Sequence, residues 1–289
     1  MTKYFFKGMY GLGDSIYQRP FLSYFPGAYV RTCWPELYQD LDINCVRSKT
    51  RLRTQAKNEL RTSYTFHSPP SSKDLIVKSI GYSAKDLTMG GIIQTFRNQF
   101  GVSGNLLFDL PHFNDDHPWI PTDKKIAVIR PATIRTEWAS NSRNPDPEYL
   151  AIAARTLRQH FYVVSVADTL HGVEWIVGSE PEADLKLHRG ELSLTQLCSL
   201  YDRASCIVSP VGFSLPMAIA YKKPLFIIAG GRGGHNAPNI VTDATMNLSK
   251  LSWAIPDKYC MCTNANHNCS KYISSFDNKL NEWLYEIVL

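Results

Sequence analysis

No run of apolar residues in this chain approaches the roughly 20 that a bilayer-spanning helix needs. The stretch around Lys3 and Lys7 is too short and too aromatic to act as a secretory leader, so the expected compartment is the cytoplasm. Charge of one sign is not in large excess. A net charge of +5 permits a nucleotide, a nucleic acid or a charged glycan as partner and demands none of them. There are no internal repeats and no low-complexity segments. Four of the seven cysteines, Cys33, Cys45, Cys198 and Cys206, are scattered through apolar segments, which excludes a disulfide scaffold as the organising principle. The dinucleotide fingerprint also lacks its third glycine, because Gly11-Leu12-Gly13 is followed by Asp14-Ser15-Ile16; an oxidoreductase is therefore disfavoured.

What remains is a chain of 289 residues, 44% apolar, long enough for two ordinary domains. One local pattern occurs twice. Residues 3–9 read as a strand that runs into Gly11-Leu12-Gly13-Asp14 and then a helix. Cys206–Ser209 reads as a strand that runs into Val211-Gly212-Phe213-Ser214 and then a helix to Tyr221. A strand, a glycine turn and a helix start together deliver backbone N–H groups to an anion or a sugar. Two such turns in separate halves predict two α/β domains with a cleft between them.

The rest of the pattern agrees. Further strands are expected over 28–34 and 43–47, with a helical turn near Glu36–Leu41, and helices over 51–61 and 91–101. Residues 104–125, with their prolines and the Asp115-Asp116 pair, suit a linker. Beyond it, strands at 126–130, 162–166, 206–209 and 224–229 alternate with helices at 145–160 and 191–204, which reads as a parallel, doubly wound sheet. The division expected is an acceptor-side domain over 1–120 and a donor domain over 121–289. The last helix, 276–288, is left open to pack back on the first.

The order of these pieces resembles the heptosyltransferase-like inverting glycosyltransferases (family 9-like), whose GT-B architecture has two facing Rossmann-like domains. The resemblance rests on Gly11-Leu12-Gly13-Asp14 with Pro20-Phe21-Leu22. It rests also on the block from Gly190-Glu191-Leu192 through Leu197, Tyr201, Ala204 and Ser209 to Lys223-Pro224-Leu225-Phe226. It implies a metal-independent transferase that moves a sugar from a nucleotide-sugar donor to an acceptor hydroxyl. The acceptor is a glycan, a small molecule or a nucleic-acid base. The family's Asp-Thr-Gly-x-x-His is replaced here by Val211-Gly212-Phe213-Ser214-Leu215-Pro216, which leaves the donor sugar open. The competing class is a non-catalytic nucleotide- or glycan-binding protein on a degenerate GT-B fold.

On this resemblance Asp14, beside Gly13, is the catalytic base; the plain alternative is a helix N-cap. The loop after the strand at 126–130 offers Arg130, Arg135 and Thr133 to donor phosphate, with Arg143 as a weaker third. Ser209, Gly212, Phe213 and Ser214 bring a helix start to the diphosphate. Gly230-Gly231-Arg232-Gly233-Gly234 reads as a flexible loop from which Arg232, His235 and Asn236 reach the ligand. The basic run Arg47, Lys49, Arg51, Arg53, Lys57 and Arg61 keeps a nucleic-acid partner open. Asp40-Leu41-Asp42 has the form of a divalent-metal motif and is read as solvated surface. Cys260, Cys262, His267 and Cys269 can supply four tetrahedral ligands to a structural zinc, the one cofactor expected, while Cys-x-Cys also suits a disulfide or two free thiols; catalysis itself is expected to need none. The sequence leaves the oligomeric state open.

Overall fold

The computed structural model describes residues 3–71 and 75–289. The chain divides into two compact units. The first runs to Pro111 and takes back Asn239–Met246; the second comprises His112–Pro238 and Asn247–Leu289.

The first unit is built on four parallel strands in the order β3-β2-β1-β4. They are β1 (Lys3–Lys7), β2 (Ala28–Thr32), β3 (Ile43–Arg47) and β4 (Leu75–Ser79). Its helices are α1 (Leu12–Leu22), α2 (Arg53–Arg61), α3 (Ala84–Thr88) and α4 (Gly91–Phe100). Phe6, Phe21, Phe96 and Phe100 are buried and packed ring on ring, fastening α1 and α4 to β1. Strand β4 and helix α3 fall in a stretch where the sequence offered no assignment.

Helix α1 is held by a buried charge that sequence reasoning missed. Arg19, with 2% of its side chain exposed, grips Asp40 through Nη1–Oδ1 at 2.8 Å and Nη2–Oδ2 at 2.7 Å. It also reaches Asp109 Oδ1 at 3.2 Å and the Leu37 carbonyl at 2.7 Å. Asp40 is exposed, as read from the sequence, and it is also the structural partner of Arg19. The returning segment packs here too: the Tyr17 hydroxyl donates to the Val241 carbonyl at 2.7 Å, and a Cβ on Gly91 would stand 2.7 Å from the Ile240 carbonyl oxygen.

The second unit has six parallel strands in the order β12-β11-β10-β5-β7-β9 and a separate antiparallel pair, β6-β8. The strands are β5 (Ile126–Ile129), β6 (Thr133–Arg135), β7 (Tyr162–Val166), β8 (Glu174–Ile176), β9 (Leu185–Leu187), β10 (Cys206–Pro210), β11 (Leu225–Ile228) and β12 (Leu251–Ala254). Strands β5 and β11 are apolar runs buried along their length, and β10 is buried from Cys206 to Ser209, as a sheet covered on both faces requires. The principal helices are α5 (Pro147–Leu157), α6 (Leu194–Arg203), α7 (Ser214–Ala220), α8 (Gly233–Asn236) and α10 (Phe276–Trp283), while the short α9 (Pro238–Val241) opens the segment taken back by the first unit. Asp146 caps α5, and Ser193 with Gln196 forms a capping box on α6. The last helix, α10, gives Phe276, Leu280 and Trp283 to the core of this unit, alongside Leu150, Leu157 and Phe226.

Candidate functional site

In an open parallel sheet the strand order reverses where successive crossovers change direction, and ligands bind outside the carboxyl ends of the strands at that point. Each unit has one such point. In the first it lies between β1 and β4, in the second between β5 and β10. Gly13 and Asp14 follow the strand end at the first point, and Arg130, Ser209, Gly212, Phe213 and Ser214 lie at the strand ends of the second.

At the first, the chain leaving β1 turns through Gly11 into α1. Gly11 is the N-cap and makes no side-chain cap bond; Gly13 and Asp14 lie in the first turn of the helix. Asp14 is therefore not the cap. Its Oδ1 accepts the Tyr82 hydroxyl at 2.6 Å, and its Oδ2 folds back over Gly11, where a Cβ would stand 2.3 Å away. Its backbone carbonyl accepts from Gln18 Nε2 at 2.9 Å, and its charge adds to burial in raising the nearby Tyr17 hydroxyl. Tyr82 follows β4, so the pair joins the two loops that flank the reversal. Sequence reasoning missed Tyr82 because β4 was not read; the β-branched run Ile76-Val77 before Gly81 is the signal that was available.

At the second point, Arg130 leaves the end of β5 and Gly212 leaves the end of β10. The Arg130 guanidinium lies over the Phe213 ring, 4.2 Å from its centroid, and 3.6 Å from where a Cβ on Gly212 would stand. Its Nε is buried and has no hydrogen-bond partner among the described residues. Burial pulls the guanidinium below its ordinary value. Tyr201, buried under Phe213, donates to or accepts from Ser214 Oγ at 2.7 Å; burial pushes its hydroxyl up to about 12. Ser209 is buried, and its hydroxyl donates to the Pro210 carbonyl at 2.9 Å. Arg143 donates to the Val211 carbonyl at 2.9 Å, so a second arginine braces this turn.

The other two candidates on the β5 loop have a different setting. Arg135 Nη2 lies 2.9 Å from Glu174 Oε2, and Thr133 Oγ1 donates to Glu174 Oε1 at 3.1 Å. Glu174 is 2% exposed. The trio fastens β6 to β8, and the acidic residue that occupies both candidates lies 41 positions from Thr133, beyond any local pattern.

The glycine-rich segment differs most from its expectation. It is packed, not loose. A Cβ on Gly231 would stand 2.2 Å from Cys269 Cβ; one on Gly233 would meet Met261 Sδ at 2.7 Å, and one on Gly234 the Met261 carbonyl oxygen at 2.9 Å. The Gly231, Gly233 and Gly234 N–H groups donate to the carbonyls of Ser142, Cys260 and Cys262 at 2.7, 2.7 and 3.1 Å. Arg232 reaches the Thr263 carbonyl and Ser140 Oγ, and Asn236 turns back to the Arg232 carbonyl. His235, half-buried with Arg232 and Arg143 nearby, is held below its ordinary value first by burial and then by those charges.

What the glycines cradle is the cysteine loop. One ligand atom from each of Cys260, Cys262, His267 and Cys269 lies within 4.8 Å of every other. Cys262 and Cys269 sulfurs stand 3.5 Å apart, too far for a disulfide and close to the about 3.8 Å expected between two thiolates on one tetrahedral zinc. The Cys262 N–H holds the Cys260 thiol below its ordinary value, while burial pushes Cys262 up to about 11. Ser142 Oγ donates to the carbonyls of Asn264 and Ala265 at 2.9 and 3.0 Å, which ties the loop to the segment carrying Arg143. The donor set and its close packing fit a structural metal ion.

No family model matches this sequence, and no curated protein does. Solved structures do. The iron-containing dodecameric heptosyltransferase TibC of enterotoxigenic E. coli, bound to ADP-D-β-D-heptose, superposes with a TM-score of 0.60 at 14% identity, over 99% of this chain and 76% of that one. E. coli ADP-heptose LPS heptosyltransferase II gives 0.58 at 12%, over 98% and 99%. A family 9 glycosyl transferase from Veillonella parvula gives 0.55 at 11%, over 87% and 85%. At these identities the likeness is one of fold, and the fold of this chain is that of the heptosyltransferases.

Proposed function

We propose that this protein is an inverting glycosyltransferase that transfers a sugar from a nucleoside-diphosphate donor to an acceptor hydroxyl without a catalytic metal. Arg130 carries this reading. Arg130 is half-buried, and its buried Nε, without a hydrogen-bond partner among the described residues, is costly unless an anion arrives; it stands at the strand-order reversal beside a glycine turn. A diphosphate is the anion that suits it, since the planar fork can hold two phosphate oxygens. The fold neighbour in complex with ADP-heptose supports a nucleotide-sugar donor.

In the reaction, Asp14 takes the proton from the acceptor O–H. The oxygen forms a bond to the anomeric carbon as the bond from that carbon to the diphosphate breaks. The electron pair leaves with the nucleoside diphosphate, whose charge Arg130 stabilises. Attack opposite the leaving group inverts the anomeric centre. The acceptor is a glycan, a small molecule or a nucleic-acid base.

Cys260, Cys262, His267 and Cys269 would hold a structural ion, which would supply folding free energy rather than reaction chemistry. Their thiolate-rich set suits zinc; TibC being iron-containing, both elements belong in the assay.

The test is thermal shift and nucleotide release with ADP-, UDP-, GDP- and CDP-sugars, with no added divalent ion and with metal content measured in parallel. Stabilisation by one nucleoside diphosphate, followed by its release on adding an acceptor, is the expected result. Binding with no turnover under any donor and acceptor pair would leave a binding protein on a transferase fold.

A further inference from the structure

We infer that Tyr82 is a positioning residue for Asp14, held in place by Gln99, and that this hydrogen bond sets the orientation of the carboxylate that takes the acceptor proton. This rests on the reading of Asp14 as the base.

Tyr82 is delivered by a loop with little freedom. Beyond β4, the Ile80 N–H donates to the Lys7 carbonyl at 3.0 Å, so the chain stays beside the end of β1. At the next residue, Gln99 on α4 takes both backbone groups of Gly81. Its Oε1 accepts the Gly81 N–H at 2.9 Å, and its Nε2 donates to the Gly81 carbonyl at 2.5 Å. A side-chain amide that satisfies both the donor and the acceptor of one residue pins its position as a strand neighbour would. The Tyr82 ring then lies 5.9 Å from that of Phe96, which is fully buried. From this platform the hydroxyl meets Asp14 Oδ1 at 2.6 Å.

The chemistry follows from the donor. A phenol keeps its proton at neutral pH, so it can only donate to an ionised carboxylate. A bond of this kind favours the charged form, which is the form that accepts a proton. It also removes rotation about the carboxylate's own bonds, so the base meets the acceptor in one geometry and not several. Helix α1 is clamped independently through Arg19, Asp40 and Asp109. The backbone of Asp14 is thus fixed from one side and its side chain from the other.

The experiment compares wild type, Tyr82→Phe, Gln99→Leu and Asp14→Asn, each checked for folding by thermal unfolding. Readouts are kcat and KM against pH, and the Asp14 carboxyl titration followed by carbon-13 NMR, which needs no substrate. Tyr82→Phe is expected to lower kcat by about 10- to 100-fold, the worth of one hydrogen bond to a charged group, with donor KM unchanged. The acid limb of the pH profile and the Asp14 titration should both move to higher pH, because losing the donor disfavours the charged form. Gln99→Leu should give the same signature at smaller size while Tyr82 remains. Wild-type kcat and an unmoved Asp14 titration in a folded Tyr82→Phe protein would overturn the inference and leave the base reading intact. Full turnover in Asp14→Asn would instead sink the base reading, and the role of Tyr82 with it.

Discussion

The two strand-order reversals are built alike and furnished oppositely. At the first, a carboxylate meets a phenol and the polar groups answer one another at 2.6 Å. At the second, a guanidinium is packed over a ring with its Nε buried and unanswered. A satisfied pair is ready to act as it stands. A buried N–H left without a partner costs free energy that a ligand recovers, so the second site is expected to gain stability from its anion while the first changes little on binding.

The largest effects should come from exchanging these roles. Asp14→Asn is expected to cut turnover by about 100-fold or more while leaving the stabilisation by nucleotide intact. Arg130→Met should do the reverse. It should stabilise the free protein by about 1–3 kcal/mol of relieved desolvation, seen as a higher unfolding temperature, and abolish the nucleotide-induced shift. Calorimetry of both variants, with and without nucleoside diphosphate, reads the two outcomes together. Loss of the nucleotide shift in both would break the comparison.

Metal removal sharpens it. Chelation, or Cys262→Ser, should destabilise the second unit by several kcal/mol and weaken nucleotide binding, because the cysteine loop is tied through Ser142 and Gly231 to the segment bearing Arg143. The Asp14 titration should not move. Gly231→Ala should act in the same direction and less, by about 1–3 kcal/mol, since its Cβ would collide with Cys269. Limited proteolysis within 258–272 would report either loss.

The smallest effect is a slope in pH. His188 is buried against Ser165, Nε2 to Oγ 2.8 Å, and burial holds it below its ordinary value despite Glu180 nearby. The unfolded chain therefore binds a proton that the folded unit resists. Stability is fully present above about pH 6.5 and falls as the solution is made more acid through the lowered folded value. His188→Asn should flatten that slope in denaturant titrations at several pH values.

How far these features were legible depends on the range over which they act. The alternation of the second half was readable because β5, β10 and β11 are short apolar runs and because the caps at Asp146 and Ser193 are local. Both glycine turns after strands were readable for the same reason, but the first reversal was not, because β4 was unread. Tyr82, 68 positions from Asp14, and Glu174, 41 from Thr133, were not, since no local period records a partner so distant. Arg19 read as an ordinary helix residue until Asp40 and Asp109 enclosed it. The glycine loop shows a different failure. Composition reports how much freedom a segment has when alone, and here that freedom is what lets a second loop come within touching distance.

One feature of the chain path bears on how the protein can be taken apart. Residues 239–246 leave the second unit and complete the first, with Val241 receiving the Tyr17 hydroxyl and Ile240 lying against Gly91. A gene cut at residue 111 would encode a first unit with an open seat beside the helix that carries Asp14. Co-expressing the remainder would supply the missing piece only as an internal loop of another polypeptide. The two halves are thus heritable as one reading frame, and separate expression of either is expected to need residues 239–246 grafted onto the first or replaced by a short bridge in the second.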